Sequence, residues 1–156
     1  MNKNSIEIYT DGSCNPQYKI GGWASIIFIN KEKLVFQGTE TNTTHNRMEL
    51  LAVINAIEYV KRNHSKAMLL KIFTDSQYVE RIPHRTKKLV TQNFKTKSGK
   101  SIQNPDLIQK LINLLESSDI EFIKVKAHRK SSEVPNYNRE VDMLSRKLVR
   151  EQVNKE

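Results

Sequence analysis

Ile6-Glu7-Ile8-Tyr9-Thr10-Asp11-Gly12-Ser13 is the stretch from which the rest of the chain can be read. Apolar and polar residues alternate along it, the period of a β-strand with one face buried, and the run closes on a carboxylate followed at once by Gly and Ser. Met68-Leu69-Leu70-Lys71-Ile72-Phe73-Thr74-Asp75-Ser76 repeats the shape and again ends in Thr-Asp. Two strands that each deliver an aspartate from their last residue bring two carboxylates together when they lie side by side. Like charges so placed repel unless a cation sits between them, so the pair points to a divalent metal site.

Composition bounds what can enclose such a site. A chain of 156 residues with 37% hydrophobic and 28% charged residues suits one globular domain with a heavily charged surface. The expected domain covers residues 1–153, with Asn154-Lys155-Glu156 as a frayed tail. No apolar run reaches membrane-spanning length, and the N-terminal residues lead straight into a strand, so neither membrane partner nor signal peptide is expected. Cys14 has no second cysteine to pair with, which fits a reducing cytoplasm. The net charge of +9 makes a polyanion the favoured partner, nucleic acid ahead of an acidic membrane.

In chain order, Cys14 to Gly22 reads as a loop from its Pro, Asn and Gly content. Trp23 to Ile29 and Leu34 to Glu40 form a hairpin about a turn at Asn30-Lys31-Glu32-Lys33. A helix follows from about Arg47 to Arg62, with Val53, Ala56, Ile57 and Val60 on one face. Glu49 falls on that same core-facing stripe, where an acid is unusual. After Asp75 a short helix runs from Ser76 to about Ile82 and stops near Pro83. Arg81 to Pro105 then holds seven Lys or Arg residues and no acid. Asn104-Pro105 opens a helix over Asp106 to Glu116, Ile120 to Lys126 is a strand, and Asn138 caps a last helix to about Val153. Three strands followed by strand–helix alternation specify an α/β protein with a mixed sheet and helices on its faces. Its carboxyl edge, where open α/β sheets place ligands, then carries both aspartates.

Taken singly, the candidate residues have plain explanations. Asp11 and Asp75 could each end a strand as a turn former, and Glu49 could complement a helix dipole. His128 sits in a polar loop, where histidines are commonly idle; His64 and His84 read the same way, and His45 is left open.

Five segments together resemble the motifs of the type 1 ribonuclease H family, in that family's order and near its spacings. They are Tyr9 to Cys14, Asn46 to Leu50, Thr74 to Val79, Val125 to His128 and Asn138 to Asp142. The resemblance implies a ribonuclease H-like fold, a five-stranded mixed sheet in the order 3-2-1-4-5 with helices on both faces. It also implies hydrolysis of the RNA strand of RNA/DNA hybrids by a monomeric endonuclease. Asp11, Glu49, Asp75 and Asp142 would correspond to four acids that hold two Mg²⁺ ions, with Mn²⁺ a possible substitute, and His128 to a histidine that assists proton movement or product release. By the same resemblance Gly12, Ser13, Cys14, Glu49 and Gln77 would face the minor groove, with Thr44 and Asn46 also toward the hybrid. Asn15 would stand near a minor-groove asparagine, Asn138 would line the substrate side, and Lys87 and Lys88 would lie on a basic protrusion that grips phosphates. The chemistry agrees: carboxylates suit a hard cation, and two such ions activate water and stabilise a departing oxygen in phosphodiester hydrolysis. Two competing readings are a non-catalytic nucleic-acid-binding module and a nuclease of the same fold acting on another duplex or a junction.

Overall fold

The computed structural model describes residues 5–64, 68–125 and 136–155. Alternation in the opening stretch becomes β1 (Ser5–Asn15), whose even residues Ile6 and Ile8 are buried. It pairs antiparallel with β2 (Ile20–Ile29), and β2 pairs antiparallel with β3 (Glu32–Glu40). The β2–β3 turn is Asn30-Lys31, both at positive φ, the backbone that matches the twist of a two-residue hairpin. On its other side β1 pairs parallel with β4 (Leu69–Thr74), which pairs parallel with β5 (Asp119–Lys124). The sheet order is β3-β2-β1-β4-β5, as the family resemblance implied.

Helices cover both faces. On one side lie α1 (His45–Asn63), α2 (Gln77–Thr91) and α3 (Pro105–Glu116), enclosing the larger core of Ile6, Ile8, Leu50, Ile54, Ile57, Ile72, Val79, Leu111 and their neighbours. Burying each of the large aliphatic side chains contributes roughly 1.5–3 kcal/mol, so α1 is held mainly by this face. On the other side α4 (Tyr137–Lys155) packs across β1 and β2 over a smaller cluster of Ala24, Ile26 and Val141. Aromatic rings extend that layer: Tyr9 stacks on Phe73 with centroids 4.6 Å apart, and Tyr137 tilts against Phe28 at 4.6 Å.

Several local expectations fail, each for a physical reason. β1 does not end at Asp11; its ladder with β2 runs on to Asn15↔Ile20, so the loop expected from Cys14 to Gly22 shrinks to a turn over residues 16–19. α2 does not stop near Pro83 but continues to Thr91 with the proline inside it. An interior proline costs about 3 kcal/mol, and the buried face of Val79, Ile82 and Leu89 outweighs that cost. Asn104 is not a side-chain cap: it sits at φ 54° and makes no capping bond to α3. Asn138 does not cap α4 either, because Asn136 accepts the Arg139 N–H at 3.1 Å and Asn138 lies within the first turn. Asn154 and Lys155, expected as tail, belong to the last turn of α4.

Candidate active site

The parallel ladder between β1 and β4 closes at Tyr9↔Phe73. Asp11 and Asp75 each stand two residues beyond that last rung, so the shared register brings them to the same edge of the sheet. Asp11 therefore reaches the site from within a strand and Asp75 from just after one. Glu49 comes from the first turn of α1, and Gly12 lets it arrive. A Cβ on Gly12 would lie 2.5 Å from the Glu49 nitrogen and 2.6 Å from the Met48 carbonyl carbon, so α1 packs directly on bare backbone. The Gly12 N–H donates to Glu49 Oε1 at 2.8 Å and to Asp11 Oδ1 at 2.9 Å.

One carboxylate oxygen from each of Asp11, Glu49 and Asp75 lies within 4.8 Å of the others. Asp11 and Glu49 are buried, at 4% and 0% exposure, and Glu49 Oε2 has no hydrogen-bond partner. Burial, followed by the Glu49 charge, pushes the Asp11 carboxyl up to about 10. Burial likewise raises Glu49 to about 7, against the opposing hydrogen bonds from Asp11 and Gly12. Asp142, on α4, is within hydrogen-bonding reach of Asp11 and adds its charge to the field at Glu49. Its own Oδ1 receives Arg146 Nε at 3.0 Å, which places it at the rim of the cluster rather than in the closest triad. Three of the four acids named from the sequence thus converge, with Asp142 beside them at the rim. His128 lies outside the described residues.

An orphaned, buried oxygen among repelling acids is the arrangement that a cation relieves, and an all-oxygen donor set suits a hard one. Opposite ligands of Mg²⁺ stand roughly 4.2 Å apart, since each bond is about 2.1 Å. One oxygen from each of Asp11, Glu49 and Asp75 thus falls within the span of a single coordination shell of about that size.

The other sequence candidates lie on β1, at the start of α1, along α2 and in the first turn of α4. Ser13 and Cys14 continue along β1; burial raises the Cys14 thiol above its ordinary pKa, and its Sγ contacts Thr43 O at 3.6 Å. Asn15 Oδ1 accepts from the N–H groups of Gln17 and Tyr18 at 2.9 and 3.1 Å, which commits that oxygen to the turn. Thr44 is the helix cap of α1, accepting the Arg47 N–H at 3.2 Å, and Asn46 lies in the helix's first turn. Gln77 opens α2, and Lys87 and Lys88 are exposed along it. Asn138 Oδ1 is buried without a partner.

Two features were missed. His45 Nε2 sits 3.4 Å from Glu49 Oε1, a contact that the four-residue helical spacing already allowed. Arg47 binds Asp106 through two nitrogens at 3.2 and 2.9 Å, and also reaches Glu40 and Asn104, tying the starts of α1 and α3 together. Its partners lie up to 59 residues away in sequence, so no local pattern announces it. With Thr39, Thr43, Thr44 and Asn104 this network lines a polar cleft of about 820 Å³.

A mixed sheet of this order, with buried carboxylates massed at the end of its central parallel pair, defines an α/β protein equipped to hold divalent cations on oxygen. Comparison with known proteins takes the assignment further. The RNase H family model matches residues 3–150. The ribonuclease H of Wolbachia sp. subsp. Drosophila simulans (strain wRi) is 37% identical over 150 residues, covering 96% of this chain and 98% of that one. The crystal structure of LC9-RNase H1, a type 1 RNase H with the type 2 active-site motif, shares the fold at a TM-score of 0.78 and 22% identity, over 97% of this chain and 75% of that one. The foamy viral protease–reverse transcriptase in complex with RNA/DNA hybrid contains the same fold at a TM-score of 0.75 and 17% identity, over 93% of this chain and 20% of that one. The chain belongs to the ribonuclease H family.

Proposed function

We propose that this ribonuclease H hydrolyses the RNA strand of RNA/DNA hybrids as a metal-dependent endonuclease, leaving 5′-phosphate and 3′-hydroxyl ends. The observation that carries the reading is the convergence of Asp11, Glu49 and Asp75 within 4.8 Å, with Glu49 Oε2 buried and without a hydrogen-bond partner. Asp11, Glu49, Asp75 and Asp142 would hold two Mg²⁺ ions, with Mn²⁺ a workable substitute. Bound there, the pair would supply a hydroxide at neutral pH and offset charge on the departing 3′ oxygen.

The chain's own residues do the remaining work. Gly12 anchors Glu49 Oε1 and so leaves Oε2 as the oxygen presented to a cation. Ser13, Cys14, Asn15, Thr44, Asn46, Gln77 and Asn138 supply the contacts to the hybrid, while Lys87 and Lys88 take phosphates without reading sequence. His128 moves a proton or eases product away. We assign the working form as a monomer in the cytoplasm; among the described residues no helix is long and apolar enough to cross a membrane.

Incubating the protein and Mg²⁺ with matched hybrid, RNA duplex, DNA duplex and single strands tests the substrate. Cleavage confined to the hybrid's RNA strand is expected, together with an Asp11→Asn variant that binds hybrid but does not cut it. Preferential cutting of another substrate, or full activity in Asp11→Asn, refutes the assignment.

A further inference from the structure

His45 takes no part in the core and none in the cap of α1. It is the first residue of that helix, its side chain is 63% exposed, and among the described residues the one polar side chain its ring meets is Glu49. The four-residue spacing puts both side chains on one helix face, with Nε2 3.4 Å from Glu49 Oε1. That separation is long for a charge-assisted hydrogen bond, which closes to about 2.7–2.9 Å. It is instead the separation of two ligands on one small tetrahedral ion: with bonds of about 2.1 Å, a nitrogen and an oxygen stand about 3.4 Å apart. Two ligands four residues apart on a helix are also a spacing that zinc sites use.

Glu49 has the capacity to serve such an ion. A carboxylate oxygen accepts from two directions. The Gly12 N–H fills one of them at Oε1, at 2.8 Å, and His45 Nε2 stands beside the same oxygen. Oε2 is buried and unpartnered, so the carboxylate as a whole is under-used by the protein. Asp11 and Asp75 bring further oxygens within 4.8 Å of Glu49. The donor set is therefore mixed, three carboxylates with one imidazole at their edge.

We propose that His45 and Glu49 form a second kind of metal site, which binds a borderline divalent ion of the zinc type beside the oxygen-only cluster. Mg²⁺ is hard and takes carboxylates and water, so an imidazole adds little to its binding; Zn²⁺ accepts nitrogen and oxygen together and is content with four ligands. Because the two sites share Glu49, an ion held by His45 draws charge away from the Mg²⁺ cluster and inhibits it. The inference goes beyond the hybrid reading and does not depend on it, since it needs only His45 and Glu49 side by side, whatever polymer is cut.

Calorimetric titration of the intact, metal-free protein with Zn²⁺, and separately with Mg²⁺, tests the site. His45→Asn keeps a polar side chain and removes the ring nitrogen. It should weaken Zn²⁺ binding at least about tenfold, the low end of what altered surroundings cost a metal site, and leave Mg²⁺ binding within about twofold. His84→Asn removes an exposed histidine of α2 and should change neither. Co²⁺ in place of Zn²⁺ gives a second readout: the visible bands of a tetrahedral site in the wild type, and their loss in His45→Asn. Unfolding of both variants in EDTA should match the wild type. Equal Zn²⁺ affinity in wild type and His45→Asn overturns the proposal, and so does a parallel loss of Mg²⁺ binding, which would make His45 a prop for Glu49 and not a ligand. If the wild type binds Zn²⁺ through His45 yet cuts no hybrid, the hybrid reading alone has failed; if it cuts hybrid and His45→Asn keeps its Zn²⁺ affinity, only this site falls.

Discussion

Replacing Asp11 with Asn should stabilise the metal-free protein even as it abolishes cleavage. Two unit charges 4.8 Å apart, the limit within which the Asp11, Glu49 and Asp75 oxygens lie, repel by about 3.5 kcal/mol at an effective dielectric of about 20. The folded protein relieves part of this by taking up a proton. Asp11 moves from an ordinary 3.8 to about 10, which corresponds to a folding penalty of about 4 kcal/mol at pH 7. Desolvation of the buried carboxyl is the largest part of that penalty, and the Glu49 charge adds to it. An amide at position 11 carries no charge, yet its oxygen can still accept the Gly12 N–H that Asp11 Oδ1 now receives at 2.9 Å. The net gain should therefore be about 3 kcal/mol, or roughly 6–12 °C in Tm for a chain of this length.

The pH window follows from the sign. An acid whose pKa is higher folded than unfolded costs nothing where both states are protonated, below about pH 4. Its cost grows as pH rises from there, up to about 7 for Glu49 and about 10 for Asp11. Wild-type stability in EDTA should thus fall between pH 4 and neutrality, and that of Asp11→Asn should fall less. Millimolar Mg²⁺ should raise the wild type toward the variant and leave the variant nearly still, since a ligand stabilises only the state that binds it. Urea unfolding across this pH range, with and without Mg²⁺, gives the comparison. An Asp11→Asn protein less stable than wild type in EDTA at pH 7 would refute the penalty argued for a buried Asp11 charge beside Glu49.

Three further perturbations test other parts of the structure. Gly12→Ala puts a Cβ 2.5 Å from the Glu49 nitrogen; it should cost about 2–3 kcal/mol in urea unfolding and lower cleavage sharply, and normal activity would show that α1 can retreat without disturbing Glu49. Pro83→Ala removes an interior proline from an exposed position of α2, and should raise stability by about 1–2 kcal/mol; a loss instead would mean that the ring serves the helix. Lys87→Ala with Lys88→Ala should leave kcat intact at saturating hybrid but reduce the salt slope of log K by about 1 per lysine that contacts a phosphate. An unchanged slope would leave both lysines as solvated surface.

What the sequence disclosed depended on how local the cause was. Strand alternation and the apolar stripe of α1 are encoded residue by residue, so five strands, four helices and their order could be read directly. The end of β1 could not. Its ladder with β4 stops at Tyr9 while its ladder with β2 continues to Asn15, so where the strand ends depends on which neighbour is asked. Pro83 misled for the opposite reason: a strong local rule was outweighed by burial of Val79, Ile82 and Leu89, whose helical spacing runs straight past the proline. Asn136 and Asn138 are capping residue types two positions apart, and in the structure it is Asn136 that accepts the Arg139 N–H. The acids show the same division. Asp11 and Asp75 were legible as a pair because parallel register equates positions on adjacent strands. Glu49 was legible only as an anomaly, an acid on an apolar stripe, because its purpose depends on a contact 37 residues away with the backbone of Gly12. The absence of a side chain there is what admits α1, and with it the third carboxylate. The site is therefore defined as much by the space left at Gly12 as by the charges around it.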